Sequence, residues 1–326
     1  MLKAQYSQRG PVPQDLLEVM PLQLPEPAAG EVRVKVLAAP INPSDVLTLT
    51  GEYGMLPPLP AVGGNEGVGR VEALGPDVSQ VKVGQMVLLP AGCGSWVSAL
   101  NLRADRLIPL PEADPLQLAM LSVNPPTAAL LLSEFVTLAE GDWVIQNAAN
   151  SGVGSYLVQI ARRRGLRSVS VVRRESAIAD VKASGGDLVV VDGPDLAERV
   201  REATGGAAIR LGIDAVGGTA TDRLGACLAD GGVVVNYGMM SGEACQLSAS
   251  AIVFRDLSLR GFWLARWFRT ASSERKQALF AELTGLIASG ELQARIAATY
   301  SLSQIREAVA AAVAGERDGK ILVVPE

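Results

Sequence analysis

The feature that most constrains the fold is a repetition that begins at Asp142. The short apolar runs "DWVIQNA", "RSVSVVRR", "DLVVVD", "LGIDAVGG" and "GGVVVNYG" follow one another, separated by helix-length segments. The segment after the first run, "GSYLVQIARRRG", has the spacing of a helix that ends at Gly165. Strand alternating with helix predicts a parallel, doubly wound α/β sheet. Short strands that are almost wholly apolar are what a sheet covered on both faces requires.

The loop Asn147–Gly154, "NAANSGVG", follows the first of these strands and opens a helix. An anion is favoured there, because the unpaired N–H groups and the dipole of the helix N-terminus face it. The full fingerprint would be G-x-G-x-x-G; here its positions are Ala149, Ser151 and Gly154, with an extra Gly152. A tight turn without a ligand is the alternative, but the intact strand–loop–helix–strand frame favours a nucleotide. Arg173 and Arg174 end the second strand, roughly 20 residues past the loop, where a carboxylate would mark NAD. A guanidinium there matches a 2′-phosphate in a two-bond fork, so NADPH is expected; two solvated arginines are the plainer alternative.

The first hundred residues have a different texture. "EVRVKVLAAPIN", which stops at Pro40 and Pro43, "GVGRVEALG" and "QMVLLPA" are short strands broken by Gly and Pro. They predict an all-β, barrel-like unit. Residues 114–139 have a helical pattern, with Pro125 and Pro126 marking a break or a start. Residues 272–289 are expected to form an amphipathic helix, and "GKILVVPE" one more strand that returns to the first unit. A second glycine run, "PAVGGNEGVGRV", leads into a strand rather than a helix, so it fails as a nucleotide loop. Its Glu66 is expected to be a structural carboxylate.

Composition removes several chemistries. The chain has no histidine, which excludes a Ser-His-Asp triad and takes away the usual zinc ligand. Cys93, Cys227 and Cys245 are scattered, giving no metal spacing and no disulfide framework. The net charge of −5 argues against nucleic acid. No apolar run approaches the roughly 18 residues of a membrane span, and no secretory leader is evident. The expected location is the cytoplasm.

A β-rich unit followed by a dinucleotide unit resembles the medium-chain dehydrogenase/reductase superfamily. In its zinc alcohol dehydrogenases the glycine run reads G-H-E; here the triplet is Gly64-Asn65-Glu66. The chain is therefore similar to the zinc-free branch, and most similar to mitochondrial-type trans-2-enoyl-thioester reductases. "INPSDVLTLTGEYG", "LPAVGGNEGVG", "SVNPPTA", "QNAANSGVG", "VVRRES", "NYGMMSG" and "LRGFWL" carry that resemblance, in order. Arg174 and Met239 depart from it. The resemblance implies a GroES-like domain over 1–123 and 268–326 and a Rossmann NADP(H)-binding domain over 124–267. It implies a homodimer and, since no import leader is evident, a bacterial source. It implies catalysis by Tyr53, an acyl pocket with Trp263 and Asn42, and no metal. Cofactor contacts are implied for Asn124, Asn150, Ser151, Gly152, Val153, Gly154, Arg173, Arg174, Tyr237, Gly238, Met239, Met240, Phe262, Trp263, Leu264 and Lys320.

The implied reaction is NADPH-dependent reduction of a 2-enoyl thioester carried by coenzyme A or acyl-carrier protein. It develops negative charge on the thioester oxygen. A tyrosine hydroxyl, with a pKa near 10, is a suitable donor to that charge. A loop aromatic that merely packs is the plainer reading of Tyr53, and Arg266 and Arg269 are more simply a solvated face than a phosphate guide. The competing functions are a quinone or small-enone reductase and a catalytically silent NADPH-binding protein.

Overall fold

The computed structural model describes residues 1–315 and 318–326, and the chain divides into two units, Met1–Val123 with Phe280–Glu326, and Asn124–Leu279. The first unit begins with β1 (Leu2–Tyr6), β2 (Glu18–Pro21), β3 (Glu31–Pro40), α1 (Pro43–Thr50), β4 (Ala61–Val62), β5 (Val68–Leu74), β6 (Met86–Leu88), β7 (Ala99–Arg103), β8 (Ile108–Pro109) and α2 (Pro115–Leu118). Strand β3 shows why this part is β: Val32, Val34, Val36 and Ala38 are buried, while Glu31, Arg33 and Lys35 between them are not. It pairs antiparallel with β5 and β7, and β1 lies between β2 and β4 in a separate three-stranded sheet.

Helix α1 corrects the all-β expectation. The prolines that end β3 do not simply break the chain. Pro43 takes the first helical position, and Asn42 and Asp45 cap each other reciprocally.

The second unit contains α3 (Asn124–Leu131), β9 (Trp143–Gln146), α4 (Gly152–Arg163), β10 (Arg167–Val172), α5 (Ile178–Ala183), β11 (Leu188–Val191), α6 (Leu196–Ala203), β12 (Leu211–Asp214), α7 (Thr219–Ala226), β13 (Val233–Asn236), α8 (Ala249–Arg255), β14 (Ser258–Gly261) and α9 (Leu264–Thr270). The six strands are all parallel, in the order β11-β10-β9-β12-β13-β14. The order reverses between β9 and β12, so this is the doubly wound dinucleotide-binding topology, whose crevice lies outside the carboxyl ends of those strands. Ile145, Val169, Val171 and Val234 form part of its core. The helix expected over 114–139 is two short ones, α2 and α3. Pro125 and Pro126 sit in the first turn of α3, where a missing N–H costs nothing.

Helix α10 (Ser273–Ala288), β15 (Ile296–Tyr300), α11 (Ile305–Val313) and β16 (Lys320–Val323) complete the chain. Strand β16 pairs parallel with β15 and antiparallel with β3, so the C-terminus returns to the first unit. The second crossing between units falls at Phe280, inside α10, rather than at 268. The reason is local. Trp267 is buried, Arg275 lies 5.4 Å over its ring, and the same guanidinium pairs with Glu134 at 2.5 Å. Among the described residues no helix is long and apolar enough to cross a membrane.

Candidate functional site

The carboxyl ends of the parallel strands carry most of the residues singled out from the sequence. After β9, Ala149 bonds through its amide to Val171 O at 3.3 Å, and Ala148 takes a left-handed φ of 47°. Ser151 then caps α4, its Oγ accepting the Gly154 amide at 3.1 Å. Gly154 is required: a Cβ there would lie 2.6 Å from Ala149 O, so a side chain would push the loop off the helix. The result is a 12-residue helix whose first amides, unbonded within the helix, face the crevice end of the sheet. That cradle fits a pyrophosphate.

A buried carboxylate organises the neighbouring loops. Asp214, the last residue of β12, is wholly buried. Its Oδ1 accepts from Asn147 Nδ2 at 2.6 Å, Val216 N at 2.9 Å and Gly217 N at 3.1 Å. Its Oδ2 accepts from Thr221 Oγ1 at 2.7 Å and Asn236 Nδ2 at 3.0 Å. Burial acts to raise its pKa, but the donors from Thr221, Asn147, Asn236 and Gly217 outweigh it and hold the carboxyl below its ordinary value. Asp214 thereby ties the ends of β9, β12 and β13 together. Tyr237 follows β13, hydrogen-bonded with the Ser151 side chain, and burial raises its phenol. Met239 and Met240, next in the chain, are exposed.

Arg173 and Arg174 directly follow β10, the first exposed and the second half-buried. The carboxylate just past the next strand, Asp192, is held by Arg223 in a fork of 2.7 and 2.6 Å. Phe262 follows β14, its amide bonding Asn236 O at 2.8 Å and its ring set edge-on to Phe135 at 6.0 Å. Trp263 caps α9 under the Arg269 guanidinium, 4.9 Å from its ring, and Leu264 starts that helix. Asn150 is exposed in the glycine loop, and Asn124 is buried at the start of α3.

The remaining three singled-out residues, Tyr53, Asn42 and Lys320, are in the first unit. Tyr53 is half-buried just past α1. Asn42 and Lys320 are buried and meet: Lys320 Nζ donates to Asn42 Oδ1 at 2.5 Å and to Ile41 O at 3.1 Å. Asn42 Nδ2 donates to Glu66 Oε1 at 2.6 Å, and Glu66 Oε2 accepts the Ser122 amide at 3.1 Å. Asp45 accepts the amides of Asn42 and Asn65 at 2.7 and 2.8 Å. Burial pushes Asp45 up to about 6, against the Asn42 amide and the Lys320 ammonium. It pushes Glu66 up to about 8, against Lys320 and Asn42. Two carboxylates and one ammonium would leave a buried negative charge, and a proton kept on Glu66 removes it. Glu66 is thus a structural carboxylate, as its place in a strand-leading loop suggests.

Residues 152–283 match the family model described as zinc-binding dehydrogenase, and residues 28–112 match the alcohol dehydrogenase GroES-like domain. The mitochondrial enoyl-[acyl-carrier-protein] reductase of Homo sapiens is 39% identical over 311 residues, 92% of this chain and 83% of that protein. The Caenorhabditis elegans enzyme of the same name is 38% identical over 275 residues, 82% of this chain and 79% of that one. The solved Etr1p/NADP/crotonyl-CoA complex superposes with a TM-score of 0.90 at 26% identity, over 99% of both chains. A mycobacterial quinone oxidoreductase does so at 0.85 and 26%, over 100% of both.

Zinc, implied by one of those descriptions, does not fit the residues present. The chain has no histidine, and among the described residues no three His, Cys, Asp or Glu side chains converge to hold a metal. Asn65 offers no imidazole, and the oxygens of Asp45 and Glu66 are engaged by amide donors.

Proposed function

The chain belongs to the medium-chain dehydrogenase/reductase family, and on that premise we propose that it is an NADPH-dependent 2-enoyl-thioester reductase that works without a metal. The observation that carries this reading is the 39% identity, over 92% of the chain, to a mitochondrial enoyl-[acyl-carrier-protein] reductase. The pyrophosphate is assigned to Asn150–Gly154 at the start of α4, and the 2′-phosphate to Arg173 and Arg174. Tyr237–Met240, Phe262–Leu264, Asn124 and Lys320 are assigned to the rest of the cofactor. When bound, NADPH supplies a hydride to the β-carbon of the enoyl group. The Tyr53 hydroxyl donates a hydrogen bond to the thioester oxygen as negative charge grows there. A proton at the α-carbon completes the reduction. Asn42 and Trp263 are assigned to the acyl pocket.

A homodimer is part of this reading. Strand β14 ends the sheet with all four residues exposed, and Ile252, Val253 and Phe254 of α8 are exposed beside it in sequence. Such an unpaired edge with apolar neighbours suits pairing with a second copy. The mitochondrial 2-enoyl thioester reductase of Candida tropicalis, TM-score 0.90 and 26% identical, is an Etr1p/Etr2p heterodimer.

The mycobacterial quinone oxidoreductase favours a second reading, reduction of quinones or small enones on the same cofactor site. Following NADPH oxidation with crotonyl-CoA, longer enoyl-CoAs and 1,2-naphthoquinone separates the two. Turnover of the thioesters is expected. Turnover of the quinone and of no thioester would replace the first reading with the second.

A further inference from the structure

Asp45 lies in the first turn of α1 and is 2% exposed. Capping this eight-residue helix takes one of its oxygens, Oδ2, which accepts the Asn42 amide at 2.7 Å. The other, Oδ1, accepts the Asn65 amide at 2.8 Å, in a segment twenty residues away, and contributes nothing to the cap. The cap residue itself is held from two further directions, by Glu66 Oε1 at 2.6 Å and by Lys320 Nζ at 2.5 Å. Three buried ionisable side chains of this unit, Asp45, Glu66 and Lys320, therefore converge on the entry of one short helix. A buried ionic cluster is no more stabilising than packed apolar side chains, and the core around it is apolar.

The exit of the same helix explains the arrangement. The amides of Gly51, Glu52 and Tyr53 all converge on the Leu47 carbonyl, at 3.0, 2.9 and 3.1 Å, with Gly51 in the left-handed conformation at φ 92°. Tyr53 is thereby tied by its backbone to the last turn of α1. A helix of this length spans about 12 Å, so any tilt at its entry is carried to Tyr53. We propose that Asp45, bridging the α1 cap and the Asn65 loop, is a positioning residue for Tyr53. This rests on the catalytic reading of Tyr53.

The test uses two variants, Asp45→Asn and Asp45→Ser, the second keeping a small acceptor for the Asn42 amide without reach to Asn65. The chain's five tyrosines are labelled as 3-fluorotyrosine, and the Tyr53 fluorine line is identified by its loss in Tyr53→Phe. In both variants the Tyr53 line is expected to shift or broaden while those of Tyr156 and Tyr237 stay in place. On crotonyl-CoA, kcat should fall about 100-fold, the scale of a 1 Å misplacement, with NADPH affinity kept. Adding Tyr53→Phe to Asp45→Asn should then cost little more. An unmoved Tyr53 line, or losses in kcat that multiply, would overturn the proposal. So would collapse of all the tyrosine lines in both variants, which would assign Asp45 to folding alone. A wild type that turns over no thioester would end the proposed function instead, and the fluorine lines would still decide the role of Asp45.

Discussion

Asn147 donates its side-chain amide to Asp214 Oδ1 at 2.6 Å, joining the residue after β9 to the last residue of β12 where the strand order reverses. Asn147 also receives the Ala215 amide on its own Oδ1 at 2.8 Å. The two side chains therefore fix both walls of the nucleotide crevice with hydrogen bonds that water does not reach.

Asp214→Asn turns an all-acceptor group into one that also presents donors, opposite the amides and hydroxyl it now serves. Bonds to a charged group are worth roughly 1.5–3 kcal/mol each, so a stability loss of about 2–4 kcal/mol is expected. Weaker NADPH binding should accompany it. Urea denaturation and NADPH titration check both; a variant with native stability would contradict the role given to Asp214.

Arg173→Ala should weaken NADPH while leaving NADH nearly unaffected. A charge-assisted contact of roughly 1.5–3 kcal/mol corresponds to about 10- to 160-fold in affinity. Equal losses for the two cofactors, measured by fluorescence titration, would remove the 2′-phosphate from Arg173.

Glu66 gives a pH signature. Its carboxyl rises from an ordinary value of 4.5 to about 8 on folding, chiefly by burial. The folded state therefore holds the proton more tightly. The associated stability is fully present below about 4.5 and is lost as pH climbs through about 8, at about 1.4 kcal/mol per pH unit at most. Glu66→Gln should flatten that decline, read as the difference between the two denaturation midpoints across pH. Parallel curves would contradict a buried, protonated Glu66.

Phe254 is 83% exposed on α8, just before the edge strand β14. Phe254→Asp is expected to convert a dimer into a monomer by light scattering, with little change in thermal stability at the monomer level. A wild type that sediments as a monomer would contradict the dimer.

The parallel sheet is legible in the sequence because its first five strands are short, largely apolar and separated by helix-length segments. The place of the glycine loop before α4 and of Arg173 after β10 is legible because both lie within one strand–helix–strand frame. Helix α1 is harder to see, since Pro40 and Pro43 resemble an ending; the signal that marks it is Asn42 with Asp45 three residues on, a capping box. Asp214 is a single acid at the end of an apolar run, and its partners Asn147 and Asn236 lie 67 and 22 residues away. The meeting of Lys320 with Asn42 spans 278 residues, and no local pattern encodes it. Side chains that act across such distances are fixed by topology, which a linear pattern does not contain.

In the proposed reaction a tyrosine hydroxyl, rather than a metal, carries the developing charge. Steady-state reduction of crotonyl-CoA by wild type and Tyr53→Phe tests it most directly. The expected result is a kcat lowered about 100- to 1,000-fold, the range for removing one oxyanion donor, with NADPH binding unchanged. A Tyr53→Phe enzyme that reduces crotonyl-CoA as fast as wild type would contradict it.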